Sequence, residues 1–134
     1  MRKAILLLMF VLGTVAPAAA EGDAAAQIAR GRYLTHDVAM CVQCHSPRSE
    51  IGVIDEGRVF HGGPVEVTRP TWQPIWAPFA PDLVALAALD PGRILNVLRT
   101  GQRPDGSQPR PPMPPFRLSD EDAAAVVHYL RSLK

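Results

Sequence analysis

The run Cys41-Val42-Gln43-Cys44-His45 decides the reading, because it sets the only two cysteines of the chain and one histidine within five residues. A disulfide between Cys41 and Cys44 would close a trivial loop and restrict the unfolded chain very little. A structural zinc site needs two further soft ligands. No second cysteine pair exists, and His36 and His61 make a poor complement. A thioredoxin-type redox pair sits beside a strand and has no use for an adjoining imidazole. The chemistry that does use all three groups is C-x-x-C-H attachment of haem. Two thiols add across the haem vinyl groups, and the next residue brings its imidazole to the iron from the same side.

The N-terminus agrees with that chemistry. Met1-Arg2-Lys3 is basic, Ala4 to Leu12 is apolar, and Ala18-Ala19-Ala20 is a small-residue cleavage signal before Glu21. Residues 1–20 therefore read as a cleaved secretory signal peptide and residues 21–134 as one small domain in the periplasm. A membrane association follows only if the segment is retained. Removing it takes two of the 14 basic residues and none of the 13 acidic ones, so the mature charge is −1. That excludes a strongly basic nucleic-acid binder.

About 114 residues leave no space for two domains, and the apolar supply is thin. Aromatics are 6% of the chain, while 12 of its 14 prolines fall between Pro64 and Pro115. This middle cannot be continuous helix or central sheet, and a large apolar cofactor would complete the core. Helices are expected where the signals allow them. The first runs from Asp23 through Ile28 and Leu34 toward His36; a short one covers Asp82 to Leu89; a third spans 91 to 100 behind Asp90-Pro91 and stops at Gly101. The last follows Ser119-Asp120-Glu121-Asp122, burying Val126, Tyr129, Leu130 and Leu133. Phe60 to Pro81 and Thr100 to Pro115 read as loops.

Iron bound by His45 needs a sixth ligand or an open position. Met40 adjoins the cysteines and cannot reach the other haem face. Met113 stands in Pro111-Pro112-Met113-Pro114-Pro115-Phe116, where prolines stiffen the backbone around the sulfur. His36, His61 and His128 are its rivals for axial ligation. Trp72, Trp76, Phe79 and Phe60 read as core that doubles as cofactor pocket wall. Arg48, Arg69 and Arg99 are candidates to pair with haem propionates. The cluster Arg99, Arg103, Arg110 and Arg117 brackets the methionine loop with positive charge.

The order of C-x-x-C-H, proline-rich loop, Pro-Pro-Met-Pro-Pro and amphipathic last helix resembles the class I c-type cytochromes. More narrowly, Gly31-Arg32-Tyr33-Leu34, Cys44-His45-Ser46-Pro47-Arg48, Phe60-His61-Gly62-Gly63 and Leu98-Arg99-Thr100-Gly101 look like the haem domains in cytochrome subunits of bacterial periplasmic or membrane-bound dehydrogenases. The resemblance implies an all-α, class I cytochrome c-like fold of three to four helices and extended loops around one covalent haem c. It also implies a Gly31–Tyr129 contact between first and last helices, and Pro78 as the proline whose carbonyl orients the imidazole of His45. Pro74 and Pro81 compete with Pro78 for that role. The function implied is a non-enzymatic carrier of single electrons with His45 and Met113 on the iron. Its donor would be a dehydrogenase and its acceptor another cytochrome or a terminal oxidase. The other reading is an open-site haem enzyme or gas-binding sensor, in which Met113 is absent from the iron.

Overall fold

A computed structural model of the chain describes residues 18–133. The expected signal segment lies outside the described residues up to position 17. Helix α1 covers Ala18–Tyr33 and so crosses the expected cleavage point. It starts five residues before the Asp23 cap read from the sequence, because the alanines flanking Gly22 and Asp23 carry the helix through them. It also ends sooner than His36. After Tyr33 the chain widens into one π-helical turn, Leu34–Val38, in which Thr35 is fully buried and donates its hydroxyl to Gly31 O (2.9 Å) and Arg32 O (3.1 Å).

Helix α2 is a single turn, Cys41–His45, which the sequence reading left unassigned. Met40 enters it in the left-handed region (φ 50°). The residues of β1 (Gly63–Pro64) and β2 (Phe79–Ala80) form a two-residue antiparallel pair with Gly63 opposite Ala80. This pair closes the base of a long loop, and the bond Val65 N–H to Pro78 O (2.9 Å) extends it.

Three helices follow where the caps place them. Helix α3 is Leu83–Leu89, with Asp82 Oδ1 accepting from Ala85 N–H at 2.8 Å. Helix α4 is Pro91–Thr100. Asp90 caps its start through Arg93 N–H (3.0 Å), and Gly101 ends it at φ 68°, where a side chain would be strained. Helix α5 is Asp120–Ser132, with Ser119 Oγ accepting from Asp122 N–H (3.1 Å) and three carboxylates at the positive end of the helix dipole.

The core is built on α5, whose Ala123, Val126, Val127, Tyr129 and Leu130 join Leu34, Val42, Phe60, Ala87, Ile94 and Leu98. Helices α1 and α5 cross at Gly31, where even a methyl group would stand 2.6 Å from Tyr129 Cβ. This is the Gly31–Tyr129 contact expected from the sequence. Beside it, Arg30 reaches Asp122 with two hydrogen bonds (2.9 and 3.1 Å), an exposed pair that steers the crossing and adds little stability. The ring of Phe60, wholly buried, stands edge-on to both His36 (5.3 Å) and Tyr129 (6.0 Å), and His36 Nε2 shares a hydrogen bond with the Tyr129 hydroxyl (2.8 Å). Among the described residues, no helix is long and apolar enough to cross a membrane.

Gly31→Val tests the crossing. The branched side chain must push α1 off α5, and overpacking of that kind costs about 1–3 kcal/mol. Urea unfolding of the holoprotein should show a lower midpoint with an unchanged slope.

Candidate functional site

Helix α2 puts Cys41, Cys44 and His45 on one face, since positions three and four apart stack along a helix. Both thiols are free and half-buried. Burial pushes the Cys41 thiol up to about 11, so at neutral pH it is protonated and is a poor redox nucleophile. His45 is nearly buried, and its Nδ1 lies 3.0 Å from Pro81 O. A carbonyl oxygen can only accept, so Nδ1 must carry the proton, and the lone pair is left on Nε2 for a metal. Burial also lowers the imidazole pKa below its usual value, and the Pro81 carbonyl draws it partly back. The site thus presents a neutral histidine of fixed tautomer.

The proline that does this is Pro81, and the expectation for Pro78 is corrected. The Pro78 carbonyl accepts from Val65 N–H at the base of the loop.

Cys41, Cys44 and His45 open onto a cavity of about 890 Å³. Its walls are largely apolar, contributed by Leu86 of α3, Ile94 and Val97 of α4, Val126 and Leu130 of α5, and Phe116. The volume lies in the range of about 300–1,000 Å³ usual for small-molecule and cofactor sites. Apolar walls this extensive call for an apolar occupant of matching size, and a haem with its vinyl edge at the two thiols meets both requirements. Met113 lines the same cavity from the loop between α4 and α5. That loop is pinned at three places: Ala77 N–H to Pro111 O (2.7 Å), Met113 N–H to Arg110 O (3.3 Å) and Leu118 N–H to Leu98 O (2.9 Å).

The rival imidazoles lie elsewhere. His36 pairs with Tyr129, His61 Nδ1 donates to Asp82 Oδ2 (3.0 Å), His128 is exposed on α5, and none of the three lines the cavity.

Two aromatic expectations are corrected. Trp72 is 78% exposed, Trp76 is tied by its indole N–H to Val67 O (3.1 Å), and neither reaches the cavity. Both belong to the loop between β1 and β2, which folds on itself through backbone and indole bonds rather than over the site. Of that loop only its end residues, Val65 at the start and Ala77 and Pro78 at the close, followed by Phe79 and Ala80 of β2, form wall. Phe60 belongs to the core behind the site. The arginines divide in a similar way. Arg48 is engaged by Gln43, Gly52 and Glu66, Arg69 by Gln73 O, and Arg99 by Asp120 (2.6 Å). Arg93, Arg103 and Arg110 line the cavity instead. Sequence reading named two of these three but missed Arg93, whose place at the start of α4 was legible while its direction was not.

The sequence pattern of the family described as Cytochrome c matches residues 28–134, which contain every element of this site. The chain belongs to the cytochrome c family. A relative described as "Diheme cytochrome c-type", from Cereibacter sphaeroides, is 34% identical over 118 residues, covering 83% of this chain. The chain spans 37% of that relative's length. Membership implies a covalently bound haem c and supports a haem electron carrier; Cys41 and Cys44 stand at the matching C-x-x-C-H spacing with His45. The sequence's narrower likeness to dehydrogenase subunits is not part of what the comparisons found.

Replacing Cys41 and Cys44 together by Ser should remove all haem that survives acid-organic extraction and denaturing electrophoresis. Thioether bonds outlast unfolding, whereas a merely ligated haem does not. Loss of haem from the wild-type chain under the same treatment would overturn the attachment.

Proposed function

We propose that this cytochrome is an exported carrier of single electrons with one haem c, held through Cys41 and Cys44 and ligated by His45 and Met113. The observation that carries the reading is the cavity wall. Among the described residues, the wall's one imidazole is that of His45, and Met113 is the wall thioether that does not adjoin the cysteines. When bound, the haem supplies a one-electron couple. The chain's residues set how that couple behaves. Met113 offers a soft sulfur donor that favours the reduced metal, and the Pro81 carbonyl strengthens His45 as a donor. The apolar wall from α3, α4 and α5 excludes water and disfavours extra positive charge. The pinned methionine loop needs little rearrangement when the charge changes.

The mouth of the cavity bears on the kind of partner it can meet. Arg93, Arg103 and Arg110 line it with Asp82 and Asp105 among them, a net excess of one positive charge, and Phe79 stands there 67% exposed. A positive rim with an apolar contact suits a partner whose docking face is acidic; a dehydrogenase as donor and a cytochrome or terminal oxidase as acceptor rest on the family resemblance. Export to the periplasm rests on the N-terminal sequence and on the family's chemistry.

Met113→Ala should leave haem attached and lower the reduction potential by on the order of 0.1 V, within the span that axial ligands command. The weak far-red sulfur-to-iron band of the ferric protein should vanish. A wild type without that band would move the open-site or bis-histidine readings ahead, and a variant that keeps it would overturn Met113 as the ligand. For the rim, Arg103→Glu with Arg110→Glu should slow reduction of ferricyanide at low salt by about tenfold. The difference should shrink as added salt shortens the Debye length.

A further inference from the structure

His45 is held at two atoms by two different segments of chain. Its Nδ1–H donates to Pro81 O (3.0 Å), and its main-chain carbonyl accepts from Gly62 N–H (2.8 Å). The residues beside those two anchors are bonded to each other. His61 precedes Gly62, Asp82 follows Pro81, and His61 Nδ1 lies 3.0 Å from Asp82 Oδ2. Because the carboxylate accepts, His61 Nδ1 carries the hydrogen. The bonds close a ring that leaves His45 through its carbonyl, passes Gly62, His61, Asp82 and Pro81, and returns to the His45 imidazole.

The ring has no slack on its inner side. Gly62 sits at φ 76°, and a Cβ there would stand 2.8 Å from Ala80 O and 2.9 Å from Asp82 N, so the two segments touch backbone to backbone. Leu83 N–H donates to Phe60 O (2.8 Å) on the side of the ring away from His45. Asp82 spends both oxygens: Oδ2 takes the His61 bond, and Oδ1 caps α3 through Ala85 N–H (2.8 Å). The ring is thereby fixed to the helix that supplies Leu86 to the cavity wall. The His61 and Asp82 side chains are each about one-third exposed, 32% and 36%. At that exposure the pair is a weak contributor to global stability, so its consequence is local geometry.

We propose that His61 and Asp82 are positioning residues for the iron ligand: their side-chain bond fixes the separation of Gly62 and Pro81, and with it the orientation and hydrogen bonding of the His45 imidazole. The proposal rests on the reading that His45 ligates the haem iron. A histidine at position 61 is informative in this respect, since the turn itself requires only the glycine that follows. The imidazole is long enough to cross to Asp82.

Proton NMR of the ferric holoprotein tests both readings separately. The wild type should show a strongly displaced His45 Nδ1–H resonance; its absence overturns the ligation reading before any variant is made. With that signal present, His61→Ala should speed solvent exchange of His45 Nδ1–H and of Gly62 N–H about tenfold, the equivalent of about 1.4 kcal/mol. Exchange of the buried α5 amides should stay within about twofold, as expected for a local opening. His61→Gln, whose amide can still donate to Asp82, should recover most of the protection. Unchanged exchange in His61→Ala, an equal rise throughout α5, or identical behaviour of the Ala and Gln variants would each overturn the positioning role. Should His61→Ala fail to mature, Asp82→Asn carries the test. It keeps an oxygen for the Ala85 cap and weakens the bond to His61, so unprotected His45 Nδ1–H supports the proposal and unchanged protection overturns it.

Discussion

A single hydrogen bond organises the site: the His45 imidazole donating to the carbonyl of Pro81. It decides which nitrogen is free for metal, and it ties the C-x-x-C-H turn to the segment that starts α3. Pro81 suits the task because proline fixes its own backbone angle, so the carbonyl direction is set before anything docks on it. From there the cap of Asp82 aims α3 along the cavity, and Asp90-Pro91 turns the chain into α4 a few residues later. The walls are thus placed relative to the imidazole through a short covalent path.

The second constraint is the α1–α5 crossing. Gly31 lets two helix backbones approach closely, and Thr35 relieves the widened turn that follows by bonding back into α1. That turn delivers Leu34 to the core and leads directly to Met40 and Cys41. The crossing far from the cavity mouth consequently sets where the attachment turn begins. Phe60, edge-on to His36 and Tyr129, locks the same junction from the other side and carries Gly62 with it.

Features written in local chemistry were legible in the sequence. Asp82, Asp90-Pro91, Gly101 and Ser119 mark helix ends through bonds to residues three or four away, and all four act where expected. Cys41, Cys44 and His45 carry their meaning in spacing alone. Features that depend on distant partners were not. Pro78 and Pro81 are identical in type and differ only in that Val65, across the loop base, claims the first carbonyl. Trp72 and Trp76 looked like wall because large aromatics are usually buried, yet their loop satisfies itself through the Trp76 indole bond and leaves Trp72 in solvent. The early start of α1 has a different cause: the alanines on either side of Gly22 and Asp23 favour helix strongly enough to carry it across that local boundary signal. The Arg93 side chain could not be placed from sequence because its direction depends on how α4 rolls against α5.

The loop between β1 and β2 has one more implication. Its ends are joined by a two-residue ladder and by Val65 to Pro78, and its closing end is fastened to the methionine loop at Ala77. Everything between those fastenings hangs outside the cavity. Such a segment is a cassette: residues from Glu66 to Ile75 can be lengthened, shortened or exchanged without moving a wall atom, provided the closing bonds persist. Related proteins are free to diverge in this stretch, and an engineer seeking a place to graft a peptide or a label onto a redox protein would begin there.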